Sequence, residues 1–147
     1  MLRYAVRRLD EIPRAHADDP EWSVLEWYPL EHHFGLTAFG VNVYVGRETG
    51  TQLLGDHDEA DSDQEEVYLV TSGEATFTLD GETLDVAAPG VVAIPDPTVR
   101  RIAFAKAAGT TIVAIGGKRQ DEFRTSWQRH HFAGVPTLRE TDAGTAS

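Results

Sequence analysis

The chain has 147 residues, 41% of them hydrophobic and 25% charged, enough for one buried core and too few for two comfortable domains. Its 24 acids against 13 bases give a formal charge of -11, a sign that repels phosphate backbones and anionic headgroups, so neither nucleic acid nor membrane is an expected partner. There is no Cys, which excludes disulfides, thiolate metal sites and a cysteine nucleophile. Residues 1–34 are irregular, with an edge strand expected near residues 3–9 and with Trp22, Trp27 and Tyr28 as a candidate aromatic plug. The first dozen residues are charged and lack a signal-peptide core, and no apolar run reaches bilayer length, so a cytoplasmic protein is expected.

Residues 35–47 alternate, with Phe39, Val41, Val43 and Val45 on one face and Ala38, Gly40, Asn42 and Tyr44 on the other. A turn at 48–50 and a short strand at 51–54 lead into an acidic stretch. From Asp56 to Glu66 the chain carries seven carboxylates and no Lys or Arg, and is read as a solvated loop, with a lid over a binding opening as the functional alternative. Its composition is that of a calcium loop, but the glycine and spacing of an EF-hand are missing.

Strand signals then follow closely, at 65–71, 74–79, 82–86, 91–94, 100–105 and 110–115. Asp80-Gly81 marks a tight hairpin, and Pro95 and Pro97 end the strand before them by removing backbone donors. Short strands at this spacing, with no long amphipathic helix between them, predict an all-β sandwich or barrel. A short helix is expected over 121–131, with Phe123, Trp127 and His131 as its docking stripe, and residues 139–147 are expected to be a disordered tail.

The segment from Glu66 through Gly73 to Gly81, followed by Ala88-Pro89-Gly90 and the run to Pro95, resembles the two consecutive motifs of the cupin superfamily. The resemblance implies a double-stranded β-helix, the jelly-roll cupin barrel, over about 35–117, with residues 118–138 as a short helical extension. The first cupin motif reads Gly, five residues, His-x-His, three or four residues, Glu, six residues, Gly. Glu66 and Gly73 match its last two elements, and no imidazole stands at the counted-back positions 60–62. With an insertion in the loop, His57-Asp58-Glu59 takes the place of His-x-His. The second motif runs Gly, five residues, Pro-x-Gly, two residues, His. Here four residues lie between Gly90 and Pro95, Thr98 stands for the second glycine, and Arg100 falls at the histidine. Strand parity places Arg100 inward with Ile102 and Phe104.

Of the metal ligands the resemblance implies, only Glu66 is matched, and a guanidinium cannot ligate a metal. The first expectation is therefore a metal-free cupin that binds or senses a small molecule, in which Arg100 and Glu66 hold a polar or anionic group and Tyr68, Asn42 and Tyr44 line the same cavity. A structural ion pair filling the vacated metal position is the competing reading of Glu66 and Arg100. The second expectation is a metal-dependent dioxygenase or isomerase with His57, Glu59 and Glu66 as a degenerate set for a divalent transition metal. The third is a homodimeric scaffold with a filled barrel, and a homodimer is expected in any case. The doublets His32-His33 and His130-His131 point neighbouring side chains apart and do not suit one ion.

Overall fold

A computed structural model describes residues 2–119, 123 and 128–138. Nine strands run in the order β1 (Leu25–Pro29), β2 (Gly40–Gly46), β3 (Gln52–His57), β4 (Gln64–Ser72), β5 (Glu74–Leu79), β6 (Glu82–Ala87), β7 (Gly90–Ile94), β8 (Arg101–Ala105) and β9 (Thr110–Lys118). They form two antiparallel sheets, β1-β2-β9-β4-β7 and β3-β8-β5-β6. A single helical turn, α1 (Leu30–Phe34), joins β1 to β2, and α2 (Gln128–His131) follows the barrel. Among the described residues no helix is long and apolar enough to cross a membrane.

The two sheets face each other across one core, as sheet amphipathicity requires. Tyr68, Val70, Val92, Ile94, Ile112 and Ala114 from the larger sheet meet Leu53, Leu54, Ala75, Phe77, Ala103 and Ala105 from the smaller one. The side chains of Asn42 and Tyr44 share this inner face, because Asn42 pairs with Ala114 and Tyr44 with Ile112 across the β2–β9 register. The valines of β2 point the other way. Val43 packs with Ile12 and Tyr28 in a second, smaller cluster that Leu9, Leu30 and Phe34 complete. The N-terminal segment thus covers the outer face of the larger sheet, and this is why β2 has an apolar face outside the barrel and a polar one inside it.

The turns follow from backbone chemistry. Gly73, between β4 and β5, has φ of +73°, and a Cβ there would collide with Thr110 Oγ1 and lie 2.8 Å from Thr110 Cα. Thr110 is itself fully buried and ties this corner together, its hydroxyl bonding the Glu74 amide, the Glu74 carbonyl and the Ala107 carbonyl. Glycine at 73 is therefore set by both conformation and space.

Three boundaries differ from the sequence reading. Residues 3–9 form no strand, and the edge of the larger sheet is β1 instead. The second strand starts at Gly40, leaving Phe39 45% exposed ahead of it. Of the helix expected over 121–131, the part that is described is α2; Phe123 is exposed, while Trp127 and the tail 139–147 lie outside the described residues.

Candidate functional site

At one end of the barrel, β3 runs into the acidic segment that leads to β4. This segment is a compact turn: the Glu59 amide donates to Pro97 O, the Asp63 amide to Glu59 O, and Arg119 holds the Asp63 carboxylate with two nitrogens at 3.0 and 2.7 Å. Asp63 accepts a positive φ of 54° to close it. The turn directs Glu59 inward toward Glu66 at the start of β4 and His57 at the end of β3. Ligand atoms of His57, Glu59 and Glu66 all lie within 4.8 Å of one another. Gly116, opposite Glu66 in the β4–β9 register, leaves room for this cluster, since a Cβ there would come 3.1 Å from Glu66 Cγ and 2.8 Å from Gln64 Oε1.

Arg101, the first residue of β8, completes the group. It is 0% exposed, is the cross-strand partner of His57, and donates from Nη1 to Glu66 Oε1 at 3.1 Å. Its Nε and Nη2, and the buried Tyr68 hydroxyl beside Glu66, have no hydrogen-bond partner among the described residues. The guanidinium that faces Glu66 is therefore Arg101 and not Arg100, whose side chain is 56% exposed and pairs with Asp56 at 2.8 Å. The one-residue correction has a packing cause. The inner face of β8 carries Arg101 followed by Ala103 and Ala105, whose small side chains share the core with Phe77 and Leu53, whereas the bulkier Ile102 and Phe104 face outward and remain partly exposed.

The two carboxyl groups are pushed apart. Burial raises Glu66, and a hydrogen bond to Glu59 raises it further; Tyr68 and Arg101 act in the opposite sense without reversing the shift. Burial also acts to raise Glu59, but hydrogen bonds from Ser62 (2.5 Å) and Glu66, with the charges of His57 and Arg101, outweigh it and leave Glu59 below the ordinary carboxylate range. Of the two, Glu59 is therefore the readier to ionise and Glu66 the readier to hold a proton. The Tyr44 hydroxyl is held protonated by burial and then by Glu66, Glu31 and Glu59, which together move it up to about 12.

Next to this cluster is a cavity of about 430 Å³ between β1, β2 and β3, lined by Trp22, Trp27, Tyr44, Leu53, Leu54 and His57 among others. A volume in this range holds one small molecule. His57 belongs to both the cavity wall and the carboxyl cluster. Its Nδ1 lies 2.6 Å from Gly55 O and its Nε2 3.2 Å from Glu59 Oε1, so the ring plane is fixed from both sides.

Trp27 is fixed as well, by donation from Nε1 to Asn42 Oδ1 at 2.8 Å, and Asn42 in turn donates to Glu31 at 3.4 Å. Asn42 therefore positions an aromatic wall and is not itself among the cavity-lining residues, while Tyr44 is. Tyr68 is 1% exposed and lies beneath the cluster. Of the aromatic plug, Trp22 and Trp27 line the cavity, and Tyr28 is buried on the opposite side of the sheet.

Solved structures provide the comparison. A sugar phosphate isomerase of the cupin superfamily from Silicibacter pomeroyi superposes with a TM-score of 0.62 at 20% identity, covering 78% of this chain and 76% of that one. A cupin protein from Bacteroides fragilis gives 0.64 at 20% identity, covering 86% and 93%. The fold is that of a cupin. A Streptomyces PAC13 variant with uridine gives 0.58 at 15% identity, covering 83% and 87%. No family model matches the sequence, and no curated protein matches it.

The cluster must be tested against the divalent metal that cupins often carry. One imidazole and two carboxylates are suitable donors for iron or manganese. Their surroundings are not suitable. One oxygen of Glu66 is taken by Arg101, burial and Glu59 both act against its ionised form, and His57 Nε2 already faces Glu59. A guanidinium keeps its charge in a protein and repels a divalent cation brought beside it. These residues do not fit a tight transition-metal centre.

Proposed function

We propose that this cupin barrel is a metal-free binding site for a small molecule, which enters the cavity beside β3 and packs against the wall to which His57 belongs. The observation that carries this reading is the double membership of His57: its ring lines the cavity and also ends the hydrogen-bonded series Arg101, Glu66, Glu59. A buried network of this kind is a rigid mount, since each member fixes the next. Arg101 does not itself reach the ligand, because it is fully buried; it holds Glu66, through which Glu59 and the His57 ring are positioned.

The comparison with a sugar phosphate isomerase and with a PAC13–uridine complex directs a ligand screen toward sugars and nucleosides. Trp22 and Trp27 both line the cavity, so their fluorescence reports occupancy directly. Titration of the protein with a sugar and nucleoside panel, uridine included, is expected to give a saturable change for at least one member. His57→Ala is expected to weaken that binding about 10-fold, the effect of removing a ring that the network holds in the cavity wall. A panel with no saturable response, or a ligand whose affinity is indifferent to His57→Ala, would overturn the proposal.

A further inference from the structure

We infer that the ligand of this cavity is an uncharged, ring-bearing molecule that stacks on Trp22 and Trp27, and that the site rejects the phosphorylated form of the same molecule. This inference rests on the binding reading above and adds the chemical class.

Two independent features point to it. The first is the aromatic wall. His16, Trp22, Trp27 and Tyr44 form a continuous series from the surface inward, with ring centroids 4.2 Å apart for His16 and Trp22, 5.9 Å for Trp22 and Trp27, and 5.9 Å for Trp27 and Tyr44. Three of the four rings line the cavity. Trp27, within the series, is braced twice: Ala15 bridges to it through the backbone, and Asn42 fixes its indole nitrogen. Such a surface, with Leu25, Leu53 and Leu54 beside it, accepts the face of a sugar or heterocyclic ring without needing charge.

The second feature is the sign of the lining. No Lys or Arg is among the residues around the cavity, whose charged and polar members are Glu21, Gln52, Thr51 and His57. Arg101 pairs with Glu66, Arg100 with Asp56 and Arg14 with Glu26, and Arg47, whose amide bonds the carbonyl of the lining residue Val24, is not itself in the lining. Behind His57 lie Glu59 and Glu66, and outside it Asp56 and Asp58. A phosphate here would lose its hydration without gaining a cationic partner, and it would meet carboxylates of like charge. Glu21 and Gln52 supply the acceptors and donors that hydroxyl groups need.

Matched pairs separate this inference from the broader one. Calorimetric titration with adenosine and adenosine 5′-monophosphate, and with glucose and glucose 6-phosphate, at low ionic strength tests charge discrimination directly. For a pair that binds, the neutral member is expected to bind at least 10-fold more tightly, with the gap narrowing at high salt and in Glu21→Lys. Trp22→Ala is expected to weaken the neutral ligand about 10-fold, while Trp22→Phe, which keeps a ring, retains most of the affinity; far-UV circular dichroism checks that both variants fold. Tighter or equal binding of the phosphorylated member, or indifference to Trp22→Ala, overturns the inference and leaves a small-molecule site standing. If no member of either pair binds while the wider panel also gives no response, the binding reading and this inference fall together.

Discussion

Replacing Glu66 and Arg101 separately gives an unequal pair of results. Arg101 is 0% exposed and already has two unpartnered nitrogens, so Glu66→Leu leaves a fully buried guanidinium without its carboxylate. A charge that cannot be neutralised in place makes this the costly arm, about 3–5 kcal/mol, the range for breaking a buried pair from one side. Arg101→Met leaves instead a carboxyl group that burial and Glu59 already favour in its protonated form, and about 1–2 kcal/mol is expected. The double variant removes both charges and is expected to be more stable than Glu66→Leu alone, which is the coupling a double-mutant cycle isolates. Urea unfolding followed by tryptophan fluorescence measures all four proteins, with an unchanged m-value required for the comparison. In thermal terms Glu66→Leu should lower Tm by roughly 6–20 °C for a chain of this size. A cost for Glu66→Leu below about 1 kcal/mol, or a larger cost for Arg101→Met, would refute the assignment of Arg101 as the buried charge that Glu66 neutralises.

Two other predictions concern the framework around the site. Tyr44 is moved up to about 12 from an ordinary value of 10, so the folded protein keeps this proton while the unfolded chain releases it; the associated stability is complete below pH 10 and declines by about 2–3 kcal/mol as pH rises to about 12. Tyr44→Phe should abolish that part of the alkaline decline, as read by urea unfolding at pH 9 and 11. Gly73→Ala combines a left-handed backbone with a clash against Thr110 and should cost at least about 2 kcal/mol, whereas Gly81→Ala, with φ of +85° but no atom near the added Cβ, should cost only the backbone part, about 1 kcal/mol. Thermal melts of the two variants test this, and equal costs would show that space at position 73 is not limiting.

Strands β2 to β9 were legible because each announces itself locally, whereas β1 was missed and an edge strand was expected at residues 3–9 instead. Asp80-Gly81 and the alternation of Ala75, Phe77 and Leu79 specify β5 and β6 without reference to the rest of the chain, and the Glu66-to-Gly73 interval locates β4 within the jelly roll. His57 and Glu59 were identified as a pair with Glu66, and the structure brings those three together. Arg101 was missed because residue bulk was taken as the sign of the core. On β8 the core side is the small-residue side, a consequence of Phe77 and Leu53 reaching across from other strands, which no local pattern contains. Ala103 and Ala105, alternating with Arg101, were the available signal. The valines of β2 presented the same problem in reverse: their partners Ile12 and Tyr28 come from a segment without regular periodicity, so only the fold shows that they lie outside the barrel. The cavity was hidden for a related reason, since Trp22 reaches Trp27 and Tyr44 only after the N-terminal segment has folded back over the sheet.

Metal uptake tests the central claim most directly. The protein, purified without chelator and equilibrated in turn with iron(II), manganese(II), nickel(II) and zinc(II), is passed through a desalting column and its metal content determined by elemental analysis. A guanidinium on Glu66 and a Glu59 oxygen against His57 Nε2 lead to the expectation of well below one equivalent of every ion, unchanged in His57→Ala. One equivalent retained by the wild-type protein and lost in both His57→Ala and Glu66→Gln would contradict a metal-free site and make the His57, Glu59 and Glu66 cluster a metal centre.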